Sequence, residues 1–141
     1  MSPKSPLSLL FATILVLLIS VSYIHSLPAV VKRDSQFVGY ADLLGGRVTI
    51  TQLASGGTVF TGQFNNGFDQ SSNPNDYTIT FQPSGYVLKV NYSILNGGTS
   101  AFTTTVNDAR LSPGSGTNLA NNNLVVSRNG KVIGSAPVVI V

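Results

Sequence analysis

Residues 76–95 read DYTITFQPSGYVLKVNYSIL. Tyr77, Ile79 and Phe81 alternate with Thr78, Thr80 and Gln82, Pro83-Ser84-Gly85 interrupts, and Tyr86, Leu88, Val90, Tyr92 and Ile94 alternate again. A period of two is that of a strand, so the stretch predicts two strands joined by a turn. One face of each carries the large apolar side chains while Thr78, Thr80, Lys89, Asn91 and Ser93 face water. Such strands require a second sheet to cover them.

The same pattern extends in both directions. FVGYADLL runs to Gly45-Gly46, RVTITQL to Ser55-Gly56-Gly57, and TVFTGQFN to Asn65-Asn66-Gly67. Beyond the central pair, Asn96-Gly97-Gly98 turns the chain and AFTTTV is rich in β-branched residues. Asn129-Gly130 lies between apolar runs in LVVSRNGKVIGSAPVVIV and predicts a type I′ hairpin. Pro137 lacks an amide hydrogen, which places its strand at an edge or at a bulge. Seven or eight short strands with regular turns and no helical period define the expected fold class. It is all-β, an antiparallel β-sandwich of immunoglobulin-like or superoxide-dismutase-like type, with a small barrel as the alternative.

The N-terminus is built differently. Lys4 precedes the apolar run Leu7 to Ile19, and smaller, more polar residues follow to Ser26. This is the layout of a secretory signal peptide over residues 1–26, and its apolar part is shorter than the ~20 residues that span a bilayer. Membrane contact is expected only through this transient segment. Residues 27–33, LPAVVKR, read as a propeptide ending in Lys32-Arg33, which leaves 34–141 as the mature β domain. The net charge of +3 comes from Lys4, Lys32 and Arg33, because basic and acidic residues balance in 34–141. Nucleic-acid binding is therefore not expected.

Residues 34–141 contain no His, Cys, Glu, Met or Trp. This excludes a Ser-His-Asp triad, a Cys-His pair and an ordinary zinc or copper site, and no cofactor is expected. Glycan hydrolysis would have to use two aspartates, Asp69 and Asp76 being the pair that shares a loop. The same loop spaces oxygen donors at Asp69, Ser71, Asn73 and Asp76 in a loose calcium pattern. It has Pro74 where an EF-hand has its glycine, and no closing glutamate. Asn91-Tyr92-Ser93 is the only Asn-x-Ser/Thr sequon with a permitted middle residue. Tyr40, Tyr86 and Tyr92 are of a kind that stacks on sugars, but their alternation assigns most of them to the core.

Two polar segments interrupt the strands, Asn65 to Asp76 and Asn107 to Asn123. A rigid sandwich leaves binding to its loops, so Phe68, Asp69, Asp76, Asp108, Arg110 and Leu111 are the candidate interaction residues. The two segments form one surface if they meet at the same end. On this reading Asn107 to Asn123 is replaceable by a shorter Gly/Ser connector at little cost in stability.

The order VTITQ, a Gly-rich turn, TVFTGQF and then DYTITF resembles the early strands of copper/zinc superoxide dismutases. The resemblance is distant and covers about half of 34–141. That family carries a His-x-His pair where this chain has Thr78-Ile79-Thr80, so its metal and activity do not carry over. Lys32-Arg33 resembles the sites of Kex2-type processing proteases. With the signal peptide and the cysteine-free β domain, it makes the chain similar to small secreted proteins of plant-associated fungi. The resulting expectation is a secreted, extracellular, non-enzymatic protein whose partner is an extracellular protein or glycan. A cell-wall-associated structural protein and an Asp-dependent glycan hydrolase are the alternatives.

Overall fold

A computed structural model describes residues 36–141, which lie within the unit Asp34–Val141. The signal peptide, the propeptide and Lys32-Arg33 lie outside the described residues. Among the described residues nearly all regular structure is strand. One 3-10 turn, Pro74–Asp76, is the exception.

The first sheet holds β1 (Val38–Leu43), β2 (Gly46–Gln52), β3 (Thr58–Gln63), β8 (Phe102–Val106) and β13 (Val139–Ile140), in the order β13-β1-β2-β3-β8. The second holds β4 (Tyr77–Gln82), β5 (Tyr86–Leu88), β11 (Asn123–Arg128) and β12 (Lys131–Pro137), in the order β12-β11-β4-β5. Pairing within both sheets is antiparallel throughout. Two small pairs complete the set, β6 (Ile94–Leu95) with β7 (Gly98–Thr99), and β9 (Ala109–Arg110) with β10 (Thr117–Asn118).

The predicted alternation is what joins the sheets. Val48, Ile50 and Phe60 from one sheet and Ile79, Phe81, Leu124 and Val126 from the other share a single buried cluster. The Phe60 and Phe81 rings meet across it at 5.8 Å. The molecule is thus a sandwich, with two open-edged sheets rather than one closed barrel. Fully burying side chains of this size contributes about 1.5–3 kcal/mol each, and with no cysteine in the chain this core takes the place of disulfides.

Three tight turns fix the register. Asn129-Gly130 has φ of 47° and 79°, and the expected type I′ turn joins β11 to β12. Asn96-Gly97 and Leu44-Gly45 repeat the geometry, with φ of 51° and 83° and of 51° and 68°. The first break therefore falls one residue earlier than Gly45-Gly46 suggests, with Leu44 in the left-handed region. Pro137 ends the edge strand β12, where its missing N–H costs no ladder bond, and β11 and β12 also shift register between Val126 and Ser127.

The second half of residues 76–95 departs from expectation. Only Tyr86–Leu88 pairs with β4, and Lys89 to Ser93 leaves the ladder even though Val90 and Tyr92 continue the inward alternation. The chain must cross here from the second sheet to β8 in the first. The β6–β7 hairpin makes the crossing and is fastened by Thr99 N–H to the Phe64 carbonyl at 2.8 Å and by Phe64 N–H to Thr99 Oγ1 at 3.1 Å.

Candidate functional site

The register places the two polar segments at opposite ends of the sandwich. Tyr77, which follows the first segment, pairs with Arg128, whereas Gln82 pairs with Asn123, which ends the second. The other sheet agrees, since Thr58 lies opposite Val106 and Gly62 opposite Phe102. The condition for one joint loop surface is therefore not met, and the two segments form separate ones.

At the first end the segment after β3 is spent on structure. Phe68 is buried, stacked on Phe64 at 5.5 Å and packed against Tyr77 at 4.5 Å, so it is a core residue and not a surface anchor. Its polar sequence neighbours conceal this. Asp69 Oδ1 accepts from Ser71 N–H at 3.0 Å and Ser71 Oγ at 2.8 Å, while Oδ2 accepts from Arg128 Nη2 at 3.2 Å. Those donors, the Ser71 amide first, hold the Asp69 carboxyl below its ordinary value. A general acid needs the opposite shift.

Asp76 and Asn73 form a reciprocal cap on the 3-10 turn. Asn73 N–H donates to Asp76 Oδ2 at 3.2 Å, and Asn75 N–H to Asn73 Oδ1 at 2.9 Å. The oxygens read as calcium donors at Asp69, Asn73 and Asp76 thus serve the chain's own N–H groups. Among the described residues no group of three or more His, Cys, Asp or Glu side chains gathers.

At the second end the connection is a built element and not a free loop. Ala109, Leu111 and Leu119 are buried in the core, so Leu111 too is unavailable as a surface anchor. β9 and β10 pair in parallel, with Thr117 N–H on the Asp108 carbonyl and Leu119 N–H on the Arg110 carbonyl, both at 2.7 Å. Three polar side chains clamp this base. Gln52 Oε1 accepts from Leu111 N–H at 2.9 Å and Ser112 N–H at 3.1 Å, and Thr58 Oγ1 donates to the Ala109 carbonyl at 2.6 Å. Buried Asn122 accepts from Ser84 N–H at 2.9 Å and donates to the Asn118 carbonyl at 3.1 Å. Sequence reading misses Gln52, Thr58 and Asn122, because the partners of Gln52 and Thr58 and the Ser84 donor to Asn122 lie far along the chain. Asp108 accepts from the Tyr86 hydroxyl at 2.8 Å.

Above this base the tip Pro113 to Gly116 is exposed. Arg110 lies beneath it, against Gly56 and Gly114, and a β-carbon at Gly114 would collide with its Nη1. Its Nε is buried with no hydrogen-bond partner. The two ion pairs among the described residues, Asp42 with Arg47 and Asp69 with Arg128, do not include it. Arg110 and the tip are therefore the part of the candidate set that the fold leaves uncommitted.

The three tyrosines of the sugar-stacking reading are also engaged. The Arg47 guanidinium covers the Tyr40 ring at 4.2 Å, Tyr86 holds Asp108, and Tyr92 packs edge-on against Phe68. Thr78 and Ile79 occupy the expected strand, Thr78 outside and Ile79 in the core. No protein-family model matches the chain, and no curated protein matches it either.

Proposed function

We propose that the chain is a secreted, non-catalytic β-sandwich that acts by contact with an extracellular protein or glycan, through the end built from Asn107 to Asn122. The observation that carries this reading is the division of charge. Asp42, Asp69, Asp76 and Asp108 each serve a structural partner, whereas Arg110, half-buried beneath an exposed tip, pairs with no carboxylate among the described residues. Carboxylates committed in this way are poor acid-base catalysts. A guanidinium without a carboxylate offers planar, forked donors to an anionic or hydroxyl-rich ligand. Secretion rests on the N-terminal sequence, Leu7 to Ile19 and Lys32-Arg33.

The test is capture of extracellular and wall components on immobilised residues 34–141. Binding that is lost in Arg110→Gln and kept in Asp69→Asn, with unchanged far-ultraviolet circular dichroism, supports the reading. Hydrolysis of a glycan by the pure domain, abolished by Asp69→Asn, contradicts it. One observation favours the wall-structural alternative, since the edge strand β13 exposes Val139 and Ile140 beside Val141 with no charged residue. Retention in the wall through salt and detergent, unchanged by Arg110→Gln, would select that alternative.

A further inference from the structure

Where Lys89 to Asn91 peels away from β4, the second sheet has an open edge. The β4–β5 ladder runs from Phe81 opposite Tyr86 to Ile79 opposite Leu88 and stops, so Tyr77 and Thr78 have no strand partner on that side. The gap is a groove of about 650 Å³, within the ~300–1,000 Å³ typical of small-ligand sites. Asn73, Asn75, Thr78, Lys89, Asn91 and Tyr92 are among its lining residues. Exposed Val87 borders it.

Asn91 is also the sequon asparagine. Its side chain is exposed, and its backbone lies outside any strand ladder. The usual objection to a glycan in mid-strand therefore does not apply. Ser93, the hydroxyl residue that completes the sequon, is exposed as well.

We infer that Asn91 carries an N-linked glycan whose first N-acetylglucosamine residues lie back along this groove and cover the open edge of the second sheet. The inference rests on the secretion reading above, because the sugar donor is confined to the secretory pathway. Transfer joins Asn91 Nδ2 to C1 of the reducing-end sugar of a lipid-pyrophosphate-linked oligosaccharide. The C1–O bond to pyrophosphate breaks with its electron pair, the lipid pyrophosphate leaves, and the amide nitrogen loses one proton. The groove suits this occupant chemically. Asn73, Asn75 and Thr78 offer amide and hydroxyl groups to sugar hydroxyls and acetamido groups, and Val87 offers an apolar surface to the CH face of a ring. Asn91 is itself among the lining residues, so sugars tethered to it are present there at high effective concentration. Coverage by a hydrated glycan is also a means of keeping an open sheet edge from pairing with another chain.

The test expresses the full chain in a eukaryotic secretory host and uses protein from the medium. A mass decrease on treatment with an N-glycan-releasing glycosidase, absent from Asn91→Gln and from Ser93→Ala, is the first expected result. The second is slower amide exchange at Val90, by tenfold or more, in the glycosylated protein than in Asn91→Gln, with Leu111 and Leu119 unchanged. Secreted protein with no mass decrease overturns the inference and leaves secretion standing. A glycan that gives no local protection overturns the placement in the groove. Protein that never reaches the medium fails the secretion reading itself, and the inference falls with it.

Discussion

The Tyr86 hydroxyl donates to Asp108 Oδ1 at 2.8 Å and so ties the edge strand β5 to the connection that follows β8. Tyr86→Phe deletes this bond without leaving a cavity. The expected loss is about 1 kcal/mol, below the ~1.5–3 kcal/mol of a bond to a charged acceptor because the pair is partly solvated. Asp108→Ala should cost a similar amount, and the double variant no more than either alone. Urea midpoints of the four proteins read this directly, and strictly additive losses would show that the two residues act independently.

Alkaline pH probes the same contact. Burial first, and then the hydrogen bond to Asp108 and its charge, hold the Tyr86 hydroxyl protonated well above the ordinary tyrosine range. Tyr92 is pushed up to about 12, by burial first and by neighbouring Tyr77 second. Both protons are bound more tightly in the fold than in the unfolded chain. The resulting stability is complete below the unfolded value of ~10 and is lost as pH rises through the folded values. Stability should therefore fall above about pH 10, less steeply in Tyr86→Phe. Phenolate absorbance at normal pH for every tyrosine would contradict this.

Acid acts with the opposite sign. Asp42 is lowered chiefly by its hydrogen bond from Arg47, and Asp69 chiefly by the Ser71 amide. Their stabilising contribution is present above the unfolded value of ~3.9 and is lost as pH falls through the folded values. Asp42→Asn and Asp69→Asn should each flatten the acid limb of stability against pH, with little overlap because they use different partners. Both groups are exposed, so added salt should shrink the part that depends on Arg47 and Arg128 and spare the part that depends on Ser71.

How far each element was legible depended on the range of its determinants. Tyr77 to Gln82 and Asn129-Gly130 declare themselves locally, because alternation and a two-residue turn are fixed by neighbours in sequence. The unpaired run from Lys89 to Ser93 kept its alternation, and only the need to change sheets removed it from the ladder. Asn107 to Asn123 concealed its role because Ala109, Leu111 and Leu119 follow no period. Leu111 and Ala109 are held from outside, by Gln52 at the end of β2 and Thr58 at the start of β3, and Leu119 in turn by the Arg110 carbonyl. Phe68 conceals its role for the same reason, since its burial depends on Phe64, Tyr77 and Tyr92. Of the candidate site, Arg110 is legible as a candidate interaction residue of a polar segment, but its separation from Asp69 and Asp76 requires the register of β4 against β11.

That anchoring reverses the expectation for the long connection. Leu119 is fully buried, and Leu119→Ala should cost about 2–5 kcal/mol. Asn122→Ala leaves Ser84 N–H without its acceptor and should cost roughly 1–3 kcal/mol. Ser115→Ala on the exposed tip should stay within about 0.5 kcal/mol of the parent. Replacing the whole of Asn107 to Asn123 by Gly/Ser should abolish cooperative unfolding. A replacement that still melted cooperatively near the parent midpoint would return the segment to the class of dispensable loops.

Of the glycines among the described residues, Gly46 meets the tightest backbone contact and gives the sharpest prediction. Gly46 opens β2 directly beside the end of β3, and a β-carbon there would overlap the Gln63 carbonyl. No rotamer change relieves a clash with backbone, so Gly46→Ala must push β2 away from β3 at the Arg47–Gln63 pair. That also strains the Leu44-Gly45 turn, whose Leu44 carbonyl accepts from both Asn65 and Asn66 N–H. A single added methyl group should therefore cost more than about 4 kcal/mol, well outside the usual range for surface substitutions. Gly85 provides the control. It has a φ of +73° but open space around it, and asparagine tolerates that conformation, so Gly85→Asn should cost less than about 1 kcal/mol. Urea unfolding of both variants separates a steric requirement from a conformational one. If Gly46→Ala melts like the parent, the two strands do not approach as closely as the register of β2 and β3 requires.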